Sequence, residues 1–429
     1  MKNNLPENWV ETTLSDVVDI YDSERKPVNS SEREKRISGK EKSELHPYYG
    51  ATGQVGYIDN YIFDDEFVLL GEDGAPFLEF LAKKAFIVRG KFWVNNHAHI
   101  LKSKTNNKFL CFFLNQCDYH NFVTGTTRYK LTQSDMRKIP IPLPPLAEQG
   151  RIVQKIEELF VDIDAGIQNL KSVQDQIKLY RQSVLKSAFE GTLYKTTEWS
   201  FEQIGKFCEI NPKTTIPALN DNSLVSFLPM PAVMPEINRF IPQILPYSKV
   251  KKGYTKFADS DVLFAKITPC MENGKSCVVH DLLNGIGFGS TEFHVLRSKG
   301  KINPLFLFYF IVQPIFRTSA IPFMTGAVGQ KRIPADYLRD YIIPLPSLEE
   351  QERIVAEIER RFERADELEK AVNAALTDSE KLKQSVLKKA FRGELVPQNP
   401  DDEPAAVLLD RIRAERAAAP KSPKKGKRK

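Results

Sequence analysis

The sequence is poor in whatever would staple, anchor or arm a protein. Its five cysteines, Cys111, Cys117, Cys208, Cys270 and Cys277, are odd in number, and no spacing among them is the Cys-x2-Cys of a zinc site. Reduced, partly buried thiols are expected. No apolar run approaches the ~18 to 20 residues that cross a bilayer, and the opening MKNNLPENWV has no apolar export core, so a cytoplasmic protein is expected. Basic charge is scarcer than the formal net charge of +6 suggests, because the last ten residues, Pro420 to Lys429, hold six Lys or Arg and no acid. The rest of the chain is neutral, and net charge therefore gives no reason to place nucleic acid on its body. The tail itself reads as a disordered polybasic end.

Catalytic motifs are missing too. Asn273-Gly274-Lys275-Ser276 has the ending of a phosphate loop, but Pro269 stands where its first glycine belongs. Gly285-Ile286-Gly287-Phe288-Gly289 has the wrong spacing for a dinucleotide fingerprint and no βαβ setting. There is no (Asp/Asn/Ser)-Pro-Pro-aromatic run of the kind that grips a flipped base; the one Pro-Pro pair, Pro144-Pro145, introduces a helix. His97-Ala98-His99 puts two imidazoles on one face of a strand without a third ligand, and Glu72-Asp73 and Asp64-Asp65 lack the lysine of a nuclease pattern. No catalytic residue, metal or bound cofactor is expected.

What the sequence does have is a repeat. A shift of 202 lays PLPPLAEQGRIVQKIEELF (from Pro142) on PLPSLEEQERIVAEIERRF (from Pro344), and QSVLKSAFEGTL (from Gln182) on QSVLKKAFRGEL (from Gln384), without a gap. About 22 of the 52 aligned positions are identical, concentrated at the two ends. Upstream the repeat is fainter. His99-Ile100-Leu101-Lys102-Ser103-Lys104 matches His294-Val295-Leu296-Arg297-Ser298-Lys299 at a shift of 195, Phe-rich runs follow each, and Trp9 and Trp199 open the halves in similar company. Both halves carry an acid-led apolar strand, Asp65 to Leu70 and Asp261 to Ala265, running into a Gly or Pro loop.

Apolar residues at spacings of three and four, Ile152, Ile156, Leu159, Ile163 and onward to Val184, and Ile354, Ile358, Phe362 and onward to Val386, make two long amphipathic helices. Each would run about 40 residues, roughly 60 Å. A stripe of that length needs a partner helix, and the other copy is the natural one. Prolines hold each entry extended, Ser347-Leu348-Glu349-Glu350 fits a capping box, and Gly191 and Gly393 mark the exits. The segments between, rich in Tyr, Phe, Pro, Gly and Asn, read as mixed α/β with a dominant antiparallel sheet. The fold class is α+β, with domains at 1–141 and 195–343, helices at 142–194 and 344–396, a short charged helix within 397–419, and the tail at 420–429.

This order, with doubled P-L-P-x-L-x-E-Q-x-R-I-V and Q-S-V-L-K-x-A-F-x-G-x-L motifs, resembles the specificity subunits of type I restriction-modification systems across nearly the whole chain. The resemblance implies two target recognition domains, each reading one half of a bipartite DNA site, on helices paired as an antiparallel coiled coil with pseudo-two-fold repetition. It implies two methyltransferase subunits and two motor-nuclease subunits as partners, which would carry S-adenosylmethionine, ATP and Mg. A rigid spacer of roughly 60 Å would hold two heads more than one ~34 Å turn of DNA apart, and adding or deleting a helical turn should change the spacing of the half-sites. A free-standing two-headed DNA-binding or architectural protein is the alternative.

Because two domains on one scaffold should read different sequences, residues that differ between the copies are the candidate readers. In the first domain these are Glu72, Asp73, Lys83, Lys84, Arg89 and His97, with Thr126, Thr127, Arg128, Tyr129 and Lys130 before the helix. In the second they are Lys266, Thr268, Asn273 and Lys275, with Gln330, Lys331 and Arg332. Arg or Lys suits guanine, Asn or Gln adenine, and the remainder phosphates. Gln149, Ile152 and Phe189, with Gln351, Ile354 and Phe391, are the repeated positions expected to dock the helices and partner subunits.

Overall fold

The computed structural model describes residues 5–80, 82–193, 199–327 and 329–418. The basic tail and the 194/195 boundary lie outside the described residues. The chain forms two compact units, Met1–Leu170 with Ala374–Lys429, and Lys171–Asn373. Each joins one head to the start of one long helix and the end of the other.

In the first unit the strand Phe67–Gly71 is buried at all five positions, as a near-continuous apolar run requires when both faces of a sheet are covered. Alternation divides its side chains between two cores. Val68 and Leu70 face the helix Asn107–Gln116 through Leu110, Phe113 and Leu114, while Phe67 and Leu69 meet Phe92, Val94 and Ile100. The strand is central to an antiparallel sheet in the order Val18–Ile20, Ala98–Ser103, Phe67–Gly71, Ala85–Val88. A second sheet runs Gln54–Ile58, His46–Tyr49, Lys91–Val94, Phe63–Asp64, with a single parallel pairing between the middle strands.

The second unit repeats this topology. Its sheets run Cys208–Ile210, Phe293–Ser298, Val262–Ala265, Ser276–Val278, and Gln243–Pro246, Leu224–Leu228, Ile286–Gly289, Thr255–Ala258, again with a parallel middle pair in the second sheet. The expected antiparallel character holds, with one parallel ladder per head. The glycines at 287 and 289 prove to be strand residues: a Cβ at Gly287 would lie 2.0 Å from the Phe257 ring, so close packing of strand on ring requires glycine there.

Each head is clasped to its helix in the same way. Val10–Thr13 pairs with Pro140–Leu143, and Ser200–Gln203 with Ile342–Leu345, directly before the helices Leu146–Phe189 and Leu348–Ala390. Trp9 Nε1 donates to Glu148 at 3.0 Å, and Trp199 Nε1 to Glu350 at 2.9 Å, so the two tryptophans that open the halves bind the first turn of the helix that closes them. Ser347 Oγ accepts the Glu350 N–H at 3.3 Å, the capping half of the expected box, while the Glu350 carboxylate serves the tryptophan. Gly191 and Gly393 end the helices with φ of +72° and +75°.

Within each unit the helix ends run antiparallel. In the first, Ile152, Val153 and Ile156 share a core with Val386, Leu387 and Ala390, and Lys383 bonds Asp164 at 2.5 Å. In the second, Val184, Leu185 and Ala188 meet Ile354, Val355 and Ile358, Arg181 pairs with Asp366 and Glu369, and Gln174 reaches Asn373 at 2.7 Å. The helix Ala405–Ala418 lies on the first head, burying Leu408, Leu409 and Ile412, with Arg416 donating to the carbonyls of Ser15 and Val18.

Among the described residues no single helix is long and apolar enough to cross a membrane. The most apolar short helix, Pro304–Ile311, is core of the second head.

Candidate nucleic-acid interface

At one end of its central strand each head brings three chain segments together by backbone hydrogen bonds. In the first, Glu72 N donates to His97 O (2.8 Å), Leu131 N to Glu72 O (2.8 Å) and Gly74 N to Tyr129 O (2.9 Å). The side chains of Glu72, Asp73, His97, Arg128 and Lys130 thereby share one edge. Arg128 pairs with Asp73 at 2.7 Å, His97 approaches Asp73 at 3.5 Å, and Lys130 lies 3.9 Å from Glu72. Arg25, which the sequence did not mark, buttresses this edge by bonding Glu72 at 2.5 Å and Ala98 O at 2.9 Å. Gly125 has φ +97°, and a Cβ there would sit 2.4 Å from Arg128 O, so the hairpin that presents Thr126, Thr127 and Arg128 to solvent needs that glycine.

The second head builds the same junction. Lys266 N donates to Glu292 O (2.9 Å), Ile333 N to Lys266 O (2.9 Å) and Thr268 N to Lys331 O (3.0 Å). Arg332 grips Glu292 with two bonds of 2.8 and 2.9 Å, and these hold the Glu292 carboxyl below its ordinary range. Gln330 and Lys331 are exposed. Thr268 Oγ1 is turned inward, and Lys275 Nζ is occupied by Met230 O at 3.1 Å; Asn273 is exposed on the far limb of that loop, after the turn closed by its N–H to Pro269 O.

These hydrogen bonds fix which residues are equivalent, finer than the sequence could. Glu72 corresponds to Lys266 and His97 to Glu292, and each pair reverses or changes charge on an identical backbone frame. Glu292 was missed because its counterpart lay two residues from the doubled histidine in a turn where the repeat fades. The histidine itself is scaffold. His99 Nε2 donates to Leu131 O at 2.9 Å and His294 Nε2 to Ile333 O at 2.9 Å, pinning the segment that precedes each long helix to the sheet in both heads. Their other nitrogens differ in company: His99 Nδ1 faces Asp22 at 2.6 Å, and His294 Nδ1 faces the Asn211 amide at 3.0 Å. Burial opposes the Asp22 carboxylate, but hydrogen bonds from His99, the Ile100 N–H and Gln133 outweigh it and leave its pKa lowered. At His294 burial acts in the other direction, disfavouring the imidazolium and lowering the pKa. Asp22, Glu72 and His99 lie close enough to suggest a cation site, yet the Arg25 guanidinium already stands between the two carboxylates.

Other sequence candidates fall elsewhere. Lys84 is 1% exposed, its Nζ donating to the carbonyls of Glu79, Phe80, Ala82 and Asn115, with burial lowering its pKa to about 8. It braces the fold and is not a reading residue as it stands. Lys83 is exposed with its ammonium over the Phe86 ring. Arg89 pairs with Glu66 at 2.6 Å, at the opposite end of Phe67–Gly71 from Glu72, and so does not join the cluster. The six docking positions are used within the chain. Gln149 and Gln351 are fully buried and donate to Pro144 O and Pro346 O; Ile152 and Ile354 are core; Phe391 packs on Phe109 and Phe113, and Phe189 on Phe306 and Phe310. They hold helix to head, which leaves none of their surface for a partner subunit at Gln149, Ile152, Gln351 and Ile354.

A family profile described as the type I restriction modification DNA specificity domain matches residues 6–172 and 196–378. The chain belongs to that family. It is 36% identical over 276 residues to the type I restriction enzyme EcoAI specificity subunit of Escherichia coli, covering 54% of this chain and 46% of that one. It is 34% identical over 349 residues to the EcoEI specificity subunit of Escherichia coli, covering 70% and 58%. The chain thus spans about half the length of these two relatives. A solved structure described as concerning complex assembly and conformational transition of the type I R-M system shares the fold at 19% identity and TM-score 0.67, covering 91% of this chain and all of that one. In this family the two matched segments are the two heads with their helices, so the internal repeat is the family's domain present twice.

Proposed function

We propose that this specificity subunit reads a bipartite duplex DNA site, one half with each head. On this reading it carries no chemistry itself. Adenine methyltransferase and motor-nuclease subunits, two of each, supply methyl transfer from S-adenosylmethionine and ATP- and Mg-dependent translocation and cleavage. One observation carries the proposal: the two heads hold the same backbone frame at the same strand end but present opposite chemistry on it, Glu72 and His97 against Lys266 and Glu292. A frame duplicated for stability alone would have no reason to change the charges at these half-buried edge positions, whereas a frame that reads two sequences must vary there.

The reading set is then Glu72, Asp73, His97, Thr126, Thr127, Arg128, Tyr129 and Lys130 in the first head, and Lys266, Glu292, Gln330, Lys331 and Arg332 in the second, with Lys83, Arg89, Asn273 and Lys275 as outlying contacts. The test is replacement of residues 1–141 by the corresponding segment of another family member, followed by mapping of methylated adenines in cells that carry the complete system. One half-site should change and the other persist. Change in both halves, or in neither, would refute the modular reading.

A further inference from the structure

We propose that a cavity on the first head, adjoining the strand-end cluster at His97, is a second base-reading site that takes the edges of base pairs in duplex DNA. The inference rests on the proposed DNA-reading function. The cavity, of about 480 Å³, is lined by Asn29, Ser30, Glu32, Arg33, Asn96 and His97 among others, over a floor made by Tyr48. His97 joins it to the Asp73 and Arg128 edge, so a duplex lying on that edge passes the cavity mouth.

What distinguishes it is which side chains are left unspent. Asn29 caps the helix Ser30–Ile37 by accepting the Glu32 N–H at 2.8 Å, Asn95 Oδ1 accepts the His97 N–H at 2.8 Å, and Tyr48 exchanges hydrogen bonds with Val28. Glu32, Arg33 and Asn96, by contrast, have no side-chain hydrogen bond or ion pair among the described residues, although Arg33 is half-buried with its guanidinium 4.8 Å above the Tyr48 ring. Their supports are fixed. The helix is held to the sheet by Arg36, stacked 5.0 Å over Trp93 and bonded to Asp59 at 2.7 Å, and the Asn95 to His97 turn is tied by Asn95 N to Tyr49 O and by Arg25 to Ala98 O. A planar fork, a carboxylate and a side-chain amide on rigid supports complement the mixed donors and acceptors of base edges, guanine, cytosine and adenine respectively. Phosphate is the poorer ligand, since Glu32 would repel it.

The second head supplies the contrast that a reading element should show. Between Cys208–Ile210 and Leu224–Leu228 it has neither helix nor strand, and Thr291 stands where Asn96 does. The helix Ser30–Ile37 buries no side chain fully, so its presence in one head only is not explained by core packing.

Arg33→Ala, Arg33→Lys and Asn96→Ala would be tested in the complex with the methyltransferase partner, using duplexes randomised across the first half-site together with methylation mapping. Each variant should lose roughly 5- to 150-fold discrimination at one or two base pairs of the first half-site, with the second half-site unchanged. Arg33→Lys keeps the charge but not the fork, and should behave like Arg33→Ala. Uniform weakening on all sequences with a shallower salt dependence would mean phosphate contact and overturn the proposal. Unchanged preference in all three variants, beside a wild-type complex that binds specifically, would overturn it while leaving the proposed function intact. A wild-type complex with no sequence preference would instead refute the proposed function itself.

Discussion

The Asp22→Asn substitution would place in the first head the residue type that Asn211 supplies in the second. Asp22 accepts from His99 Nδ1 at 2.6 Å, the Ile100 N–H at 2.9 Å and Gln133 Nε2 at 2.9 Å, and stands 3.7 Å from Arg25. An amide oxygen can keep the Ile100 bond, as Asn211 keeps that of Val295, and the amide nitrogen can meet a neutral imidazole as it does at His294. What is lost is the charge-assisted part of the His99 and Gln133 bonds in a site 8% exposed, on the order of 1.5–3 kcal/mol. For a unit of this size that lowers the first unit's melting transition by about 3–10 °C and leaves the second's unmoved.

The pH dependence has a definite sign. A carboxylate whose folded pKa lies below its ordinary 3.8 adds stability that is present above that value and is lost as pH falls through the folded pKa. The variant has no proton to take up there, so the gap between wild type and Asp22→Asn should be widest near neutrality and close in acid. Because His99 Nε2 still holds Leu131 O, the recognised DNA sequence should not change. Calorimetry from neutral pH into the acid range, paired with methylation mapping, checks both parts. An unmoved first transition at neutral pH, or a gap that grows in acid, would refute the role given to the Asp22 carboxylate in holding His99.

Three further outcomes follow from the same contacts. Phe391→Ala removes a ring that fills the junction of the second helix's end with the first head, and should cost about 3–5 kcal/mol by denaturant unfolding; Phe189→Ala, half-buried at the matching place, should cost less. Lys84→Ala should destabilise the first unit by at least about 1–3 kcal/mol, because the carbonyls around Nζ lose their donor, while Lys83→Ala, read by the same melt, should be nearly silent. Lys266→Glu, measured by methylation mapping, should alter or abolish recognition of the second half-site and spare the first; altered recognition of the first half would contradict the proposal that each head reads one half.

The helices and their order were legible because they rest on periodicity, which survives divergence: Ile152, Ile156, Ile354 and Ile358 are core as the stripes required. The middle of each stripe was less so. Tyr180 in the first stripe and Leu368 and Leu382 in the second, which continue the spacing of threes and fours, are 42%, 50% and 53% exposed, since a pair of helices covers only a narrow seam and such a run drifts off it. The junctions were legible as repeated letters but not as contacts. Trp9 and Trp199 were visible landmarks, yet nothing local shows that their indoles reach Glu148 and Glu350, some 140 to 150 residues away. Lys84 misled for a related reason: two adjacent lysines look alike in sequence, and only the carbonyls converging from Glu79, Phe80, Ala82 and Asn115 decide that one of them turns inward.

Repetition separates scaffold from reader only after the backbone has been aligned by its own hydrogen bonds. By letters alone His99 and His294 are the conspicuous match and His97 has no clear counterpart; by the frame, the histidines are pins, and His97 faces Glu292 across the repeat. The pins also show how far a shared frame tolerates change. One head backs its histidine with the Asp22 carboxylate and the other with the Asn211 amide, so the equivalent carbonyl is held in both heads although the supporting group differs. A scaffold whose supports can vary in kind without moving the segment they hold leaves the neighbouring positions free to diverge, which is what the proposed reading of two different half-sites by one fold requires.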